Sequence, residues 1–253
     1  MSGDNAIVVR GVTKRFHGTP VLENLDLDIL RGETMVVLGR SGTGKSVLLK
    51  HLNALLRPDA GTIHVGGVEV TTMTEAELVD VRRGIGMLFQ GGALFDSLTI
   101  ADNVAFALDE HEVCSGAQRA RRVADLLALV GLAGTESRMP SELSGGMRKR
   151  AALARTLALE PDVLLYDEPT TGLDPVTGRQ INMLIRDLQA RFGLTSIVVT
   201  HDLASAYYVA DRIAFLSDGR ILKVAPVHEM ARSDDPEIRA FLTAGALEAG
   251  ARA

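Results

Sequence analysis

The sequence predicts an α/β fold, a mixed sheet core with an N-terminal antiparallel β subdomain and an inserted α-helical subdomain. Three observations carry that prediction. Short, dominantly apolar runs at 34–38, 85–89, 163–166 and 196–200 read as strands buried within a layered core. Residues 24–29, Asn-Leu-Asp-Leu-Asp-Ile, instead alternate polar and apolar, as a half-buried antiparallel strand does. From Ser97 to about Glu160 strand signals stop and helical spacing takes over, with Val123, Leu126, Leu127 and Val130 on one face.

In chain order, residues 6–10 form a β-branched strand, and Gly18-Thr19-Pro20 turns the chain into the alternating strand. Leu48, Leu52, Leu55 and Leu56 repeat at helical spacing after the 34–38 strand. Residues 62–65 and 68–70 make a hairpin around Gly66-Gly67. Thr74-Glu75-Ala76-Glu77 is a capping box for a helix running to Arg83. Asp174-Pro175 supplies an N-cap and a proline at the first helical position, for a helix ending near Gly193. Asp202 caps the helix after the 196–200 strand, and Asp218-Gly219 turns a final hairpin. The tail from Glu229 is expected to be a short helix, anchored by Phe241-Leu242, and an unstructured end.

Composition narrows the class. The 253 residues suffice for one large α/β domain or two small ones, and 46% hydrophobic with 23% charged content excludes wholesale disorder. A balance of 27 basic to 32 acidic residues, net −5, argues against a dedicated nucleic-acid binder. A lone cysteine, Cys114, rules out an internal disulfide framework and fits a reducing compartment. Without a signal-like N-terminus or a long apolar run, the chain is expected to be cytosolic, or bound to a membrane only through a partner.

The chemistry begins at residues 39–46, Gly39-Arg40-Ser41-Gly42-Thr43-Gly44-Lys45-Ser46, a G-x-x-x-x-G-K-S phosphate loop between a strand and a helix. Its glycines let backbone N–H groups nest around a polyphosphate. Lys45 reaches the β- and γ-phosphates, and Ser46 ligates Mg²⁺. Such a loop needs a carboxylate for the metal, and Asp167 ends the 163–166 strand. Adjacent carboxylates on an extended chain point apart, so Glu168 is assigned to the attacking water as general base; the alternative is a solvated loop acid. Gln90 and His201 also end apolar strands, at the edge where ligands of parallel sheets bind. There Gln90 would meet Mg²⁺ or water, and His201 would hydrogen-bond the γ-phosphate or position the water. Leu143-Ser144-Gly145-Gly146-Met147 opens an Arg/Ala-rich helix and forms either a second anion site or an ordinary cap. Two phosphate elements with one set of metal and base residues suggest a head-to-tail dimer. Phe16 is either a core aromatic or a base-stacking platform.

Together these residues resemble the nucleotide-binding subunit of an ABC transporter, a P-loop NTPase (RecA-like), over nearly the whole chain. Residues 39–46 match Walker A, 163–167 Walker B with Glu168 as catalytic glutamate, Gln90 the Q-loop, 143–147 the signature, 172–174 the D-loop and His201 the switch histidine. Phe16 matches the aromatic A-loop, which moves its reading towards base stacking. Met147 departs from the usual Gln of the signature. The resemblance implies a single ATPase domain, with residues 6–90 and 161–225 as core and β subdomain, 91–160 helical and 226–253 a tail. It implies ATP and Mg²⁺ as cofactors, and a dimer in which Ser144, Gly145, Gly146 and Asp174 of one copy close on the ATP of the other. It also implies a permease docking near Leu94 and Phe95, at the cytoplasmic face of a bacterial inner membrane. Residues 87–99 and 103–106 are similar to Mla/Mce-type ATPases, which implies lipid cargo and an MCE-type lipid-binding partner. Residues 170–174 have the generic importer form, which keeps an importer for amino acids or another small solute as the alternative. A soluble ATPase of DNA repair or translation would carry coiled-coil or zinc insertions that this sequence lacks.

Overall fold

The computed structural model describes residues 5–250, with side chains through residue 245. The first half contains β1 (Asn5–Phe16), β2 (Thr19–Leu30), β3 (Thr34–Leu38), α1 (Lys45–Leu52), β4 (Ala60–Val65), β5 (Val68–Glu69), α2 (Glu75–Arg83), β6 (Ile85–Leu88) and α3 (Ile100–Glu110). There follow α4 (Gly116–Leu129), α5 (Gly145–Thr156), β7 (Val163–Asp167), α6 (Pro175–Phe192), β8 (Thr195–Thr200), α7 (Leu203–Val209), β9 (Arg212–Ser217), β10 (Arg220–Pro226), α8 (Val227–Met230) and α9 (Pro236–Gly250).

Two sheets result. One is antiparallel, in the order β2-β1-β4-β5, and the other is a six-stranded mixed sheet in the order β10-β9-β3-β8-β7-β6. Within the latter β9, β3, β8, β7 and β6 run parallel, and only β10 returns antiparallel to β9. The expected α/β architecture is therefore present, with the helical block α3–α5 inserted between β6 and β7.

The apolar strands are explained by a core on each face of the large sheet. Val36, Leu38, Leu164, Tyr166 and Val198 face the helical side, with α3, α5 and α6. Their neighbours Met35, Val37, Val163, Leu165, Ile197 and Val199 face the antiparallel sheet and α1. Period-two side chains thus feed two cores, and β3, β7 and β8 are buried on both faces.

Four expectations need correction. The first helix stops at Leu52: Asn53 caps it, Ala54 takes a left-handed φ of 54°, and Leu55 is 49% exposed. The first strand runs on to Phe16, passing a bulged region at Gly11, whose φ is 59°. Strand β6 ends at Leu88 rather than Phe89. The helix of the tail is not short, since α9 runs from Pro236 to Gly250, and its expected anchor Phe241 packs edge-on against Phe215, ring centroids 5.3 Å apart. The unstructured end expected beyond it lies outside the described residues.

The local signals for α2, α6 and α7 hold. Asp174 accepts from the Val176 and Thr177 N–H groups, both at 3.0 Å, and Gly193 closes α6 at φ 64°. Asp202 caps α7 through the Ala204 N–H at 3.0 Å. At α2 the box is reciprocal: Glu77 accepts from the Thr74 N–H at 2.7 Å, while the Thr74 hydroxyl faces the Glu77 N–H at 3.4 Å. Replacing Thr74 by Ala removes one partner from an exposed helix start. The expected loss is about 1 kcal/mol, seen as a lower denaturation midpoint at unchanged slope.

Candidate functional site

The phosphate loop leaves the C-terminal end of β3 and enters α1. Gly39 is dictated by space, because a Cβ there would lie 2.3 Å from the Leu216 carbonyl oxygen. Gly42 and Gly44 take φ of 85° and 100°, which side chains resist. The Thr43 hydroxyl donates to the Arg40 carbonyl at 2.9 Å. The buried Lys45 ammonium donates to the Gly39 and Arg40 carbonyls, each at 2.8 Å, so the loop is braced from inside. Burial lowers the Lys45 pKa, and the charges of Glu168 and Asp167 oppose that shift.

The two carboxylates do part, though not by extended geometry. Asp167 ends β7 and accepts from the Ser46 hydroxyl at 2.8 Å. Burial pushes its carboxyl above the ordinary range, and the Ser46 hydrogen bond pulls the other way. Glu168 then takes a left-handed φ of 47°, a turn the sequence pattern does not reveal. Its side chain is held on both oxygens. Oε1 lies 2.9 Å from His201 Nδ1 and 3.9 Å from Lys45 Nζ. Oε2 accepts from the Thr200 hydroxyl at 3.2 Å and from the Thr171 hydroxyl at 3.1 Å. A carboxylate only accepts, so Nδ1 of His201 carries the proton in that contact. At 8% exposure Glu168 is no solvated loop acid.

These groups line one cleft of about 300 Å³, with Ser41, Gly42, Gly44, Lys45, Ser46, Gln90, Glu168 and His201 on its walls. The parallel register explains the convergence: Leu38 pairs with Thr200, and Asp167 with Val199, so each strand releases its functional residue at the same edge. Ser46 and Asp167, hydrogen-bonded to each other, carry hard oxygens of the kind Mg²⁺ takes, and Gln90 on the cleft wall would add a third, with phosphate oxygens and water completing the set. No cluster of three or more His, Cys, Asp or Glu forms a cage of its own among the described residues.

The remaining predicted residues stand apart. Phe16 closes β1 at 39% exposure, outside the core, with the Lys14 ammonium 5.6 Å from its ring centroid. Ser144 caps α5, its hydroxyl 3.3 Å from the Met147 N–H. Gly146 meets α6, where a Cβ would sit 2.3 Å from Thr177 Cγ2. Neither Ser144, Gly145, Gly146 nor Asp174 lines the cleft.

Sequence reasoning missed the two threonines on Glu168, and it missed Lys149. That lysine is buried in α5, donates to the Gln90 carbonyl, and has its pKa lowered by burial against the pull of Asp167 and Glu168. Its spacing to Ala152 and Leu153, three and four residues on, marks it as inward-facing. The loop after Gln90 also differs from expectation. Leu94 is half-buried against the helical core rather than free. Phe95 and Phe106, 42% and 43% exposed, have ring centroids 4.7 Å apart. They rim a groove of about 480 Å³ with Phe89, Arg82 and Arg155, and the Arg155 guanidinium lies 5.7 Å from the Phe95 centroid.

A P-loop ATPase cassette is the class this fold and cleft define. The profile of the ABC transporter family matches residues 22–171, and the chain belongs to that family. It is 44% identical over 237 residues to the probable ribonucleotide transport ATP-binding protein mkl of Mycobacterium leprae, covering 94% of this chain and 68% of that protein. It is 40% identical to the methionine import ATP-binding protein MetN of Brucella abortus, covering 93% and 64% respectively. The chain thus spans about two thirds of the length of the curated relatives it matches. Among solved structures it resembles the dimeric ATP-binding cassette MJ0796 in a post-hydrolysis state with ADP and Pi. There the TM-score is 0.81 and the identity 33%, over 87% of this chain and 98% of that one. The cassette binds Mg-ATP and hydrolyses it, as the family does.

The raised Asp167 carboxyl has a sign that can be checked. A folded pKa above the ordinary aspartate range stabilises the native state at low pH, and that contribution is lost as pH rises through the folded value. Asp167→Asn should therefore raise the melting temperature of the nucleotide-free protein more at neutral than at acid pH, while weakening Mg²⁺-dependent ATP binding. Melts of both proteins from acid to neutral pH check this.

Proposed function

We propose that two copies of this chain close around two Mg-ATP and that hydrolysis drives a membrane permease. The observation that carries this reading is the split site. Lys45, Ser46, Gln90, Glu168 and His201 share one cleft, whereas Ser144 to Gly146 and Asp174 stand outside it with nothing of their own to close on. Head-to-tail pairing would bring the α5 N-terminus of one copy, with its dipole, to the γ-phosphate held by the other.

In this reading Lys45 and the loop amides hold the β- and γ-phosphates, Phe16 stacks on the adenine, and Ser46, Asp167 and Gln90 hold the metal. Bound Mg²⁺ would neutralise charge on the phosphates. Glu168 takes the proton of the water that attacks the γ-phosphorus, as the bond to the β–γ bridging oxygen breaks and ADP leaves. His201, donating through Nδ1 to Glu168, keeps the carboxylate aimed and frees Nε2. Exposed Phe95 and Phe106 with Arg155 would receive a helix of the permease that has an apolar face and an acidic tip. Such docking would hold the chain at the cytoplasmic face of a bacterial inner membrane, since none of its described helices is long and apolar enough to cross one.

Lipid is the cargo we favour, on the similarity of residues 87–99 and 103–106 to Mla/Mce-type ATPases, which would add an MCE-type lipid-binding subunit. The names of the relatives, ribonucleotide transport and methionine import, favour a small-solute importer as the second reading. Mass spectrometry of the permease and lipid retained by the chain when purified from its native membrane separates the two. A solute-binding partner without lipid would sink the first.

Glu168→Gln should lower turnover by about 10² or more, as loss of a general base does, and leave an ATP-bound dimer visible by gel filtration. Wild-type turnover would remove Glu168 from that role. Phe95→Asp should spare the ATPase rate of the isolated chain and release the permease. Normal co-purification of that variant would rule out the groove.

A further inference from the structure

The cleft explains what holds Glu168 and His201 locally, but not what ties the two loops bearing them to the rest of the fold. One buried hydroxyl does so. Ser205, in the first turn of α7, is buried and stands where three segments meet. Its oxygen receives the Asn182 Nδ2–H of α6 at 2.8 Å. It donates to Asp202 Oδ2, the cap of its own helix, at 2.6 Å. It lies 3.3 Å from the hydroxyl of Thr170, two residues after Glu168.

The proton directions in this cluster follow from its chemistry. The Asp202 carboxylate only accepts, so the single Ser205 hydrogen is committed to it. Ser205 must then accept from both Asn182 and Thr170. On the other side of Asp202, its backbone N–H donates to Thr200 Oγ1 at 3.1 Å, and Thr200 passes its own hydrogen to Glu168 Oε2 at 3.2 Å. Two runs of hydrogen bonds therefore meet at Asp202: one from Asn182 of α6 through Ser205 to its carboxylate, the other from its N–H through Thr200 to Glu168. The cost of keeping them is visible: Asn182 Oδ1 is buried with no partner. An unmet buried acceptor is destabilising, and here it accompanies a donor aimed at Ser205.

We propose that Ser205 is a positioning residue for ATP hydrolysis, locking the His201 loop to the loop that follows Glu168 through Thr170 and to α6 through Asn182. Because α6 is capped by Asp174, the same hydroxyl ties the loop expected to meet the second copy to the hydrolytic side chains. The inference rests on the reading of Glu168 and His201 as the hydrolytic pair.

The test is steady-state ATPase kinetics of Ser205→Ala, a substitution that favours the helix. The expected result is an unchanged KM for ATP and a kcat lower by about tenfold or more, as for a displaced catalytic group, with a lowered melting temperature but a folded protein, since Asn182 Nδ2 loses its buried partner. Ser205→Thr, which restores the hydroxyl, should recover most of the rate. Asn182→Leu, which keeps the branching and drops the donor, should show the same split and decides the matter if the threonine variant does not fold. Wild-type kcat in Ser205→Ala, or a folded threonine variant without rescue, overturns the proposal. Glu168→Gln measured alongside separates the two claims. Slow Glu168→Gln with normal Ser205→Ala defeats only the positioning role, whereas normal Glu168→Gln defeats the reading beneath it.

Discussion

The left-handed turn at Glu168 is the constraint on which the cleft depends. A non-glycine residue at φ 47° is strained by roughly 1–3 kcal/mol. Hydrogen bonds to a charged group contribute about 1.5–3 kcal/mol each, and the Glu168 carboxylate takes three, from His201, Thr200 and Thr171. The strain is offset inside the site itself. The turn sends two adjacent carboxylates to different work: Asp167 stays in line with β7 and meets Ser46, while Glu168 swings towards β8 and meets His201. Straightening that residue would leave both loops without their common anchor.

How much of this was readable in advance depended on how local the cause is. Thr74 to Glu77, Asp174-Pro175, Gly193 and Asp218-Gly219 act through their immediate neighbours, and the elements they start or stop lie where the sequence places them. The phosphate loop is equally local. The end of α1 was missed because Leu55 and Leu56 keep helical spacing, while the chain breaks at Ala54 for reasons of backbone conformation. Leu94 was misread because only the packed helical block shows where a loop leucine goes. Lys149, Thr200 and Ser205 act on partners that are distant in sequence or meet them only through a turn, and no spacing rule reports such contacts. The glycine at 146 reads in the sequence as part of an anion site or a cap, yet it also makes room for Thr177 across the α5–α6 contact.

The molecule divides its labour between rigid and attached parts. The parallel strands supply the holding residues, and the helical block brings a capped helix start that faces away from the cleft of its own chain. The two share an apolar core, and polar contacts add to it at one loop: Lys149 reaches the Gln90 carbonyl, and Arg155 donates to the carbonyls of Gly92 and Ala93 at 3.1 and 2.6 Å. All three acceptors lie on the loop that rims the aromatic groove. A load applied at that groove therefore falls on the same carbonyls that tie α5 to the loop leaving β6.

The two-sided burial of the central strands has a further cost and remedy. A strand such as Met35-Val36-Val37-Leu38 is apolar on both faces, so sliding it by one residue exchanges one hydrophobic set for another and exposes nothing. Hydrophobicity cannot police its alignment. Polar contacts at the strand ends do: the Thr34 N–H on Asp211 at 2.8 Å and the Gly32 N–H on Thr195 at one end, Ser46 on Asp167 at the other. Proofreading of the sheet is thus partly delegated to the pair of oxygens proposed to grip the metal, and a chain threaded one step out of frame would lack that pairing.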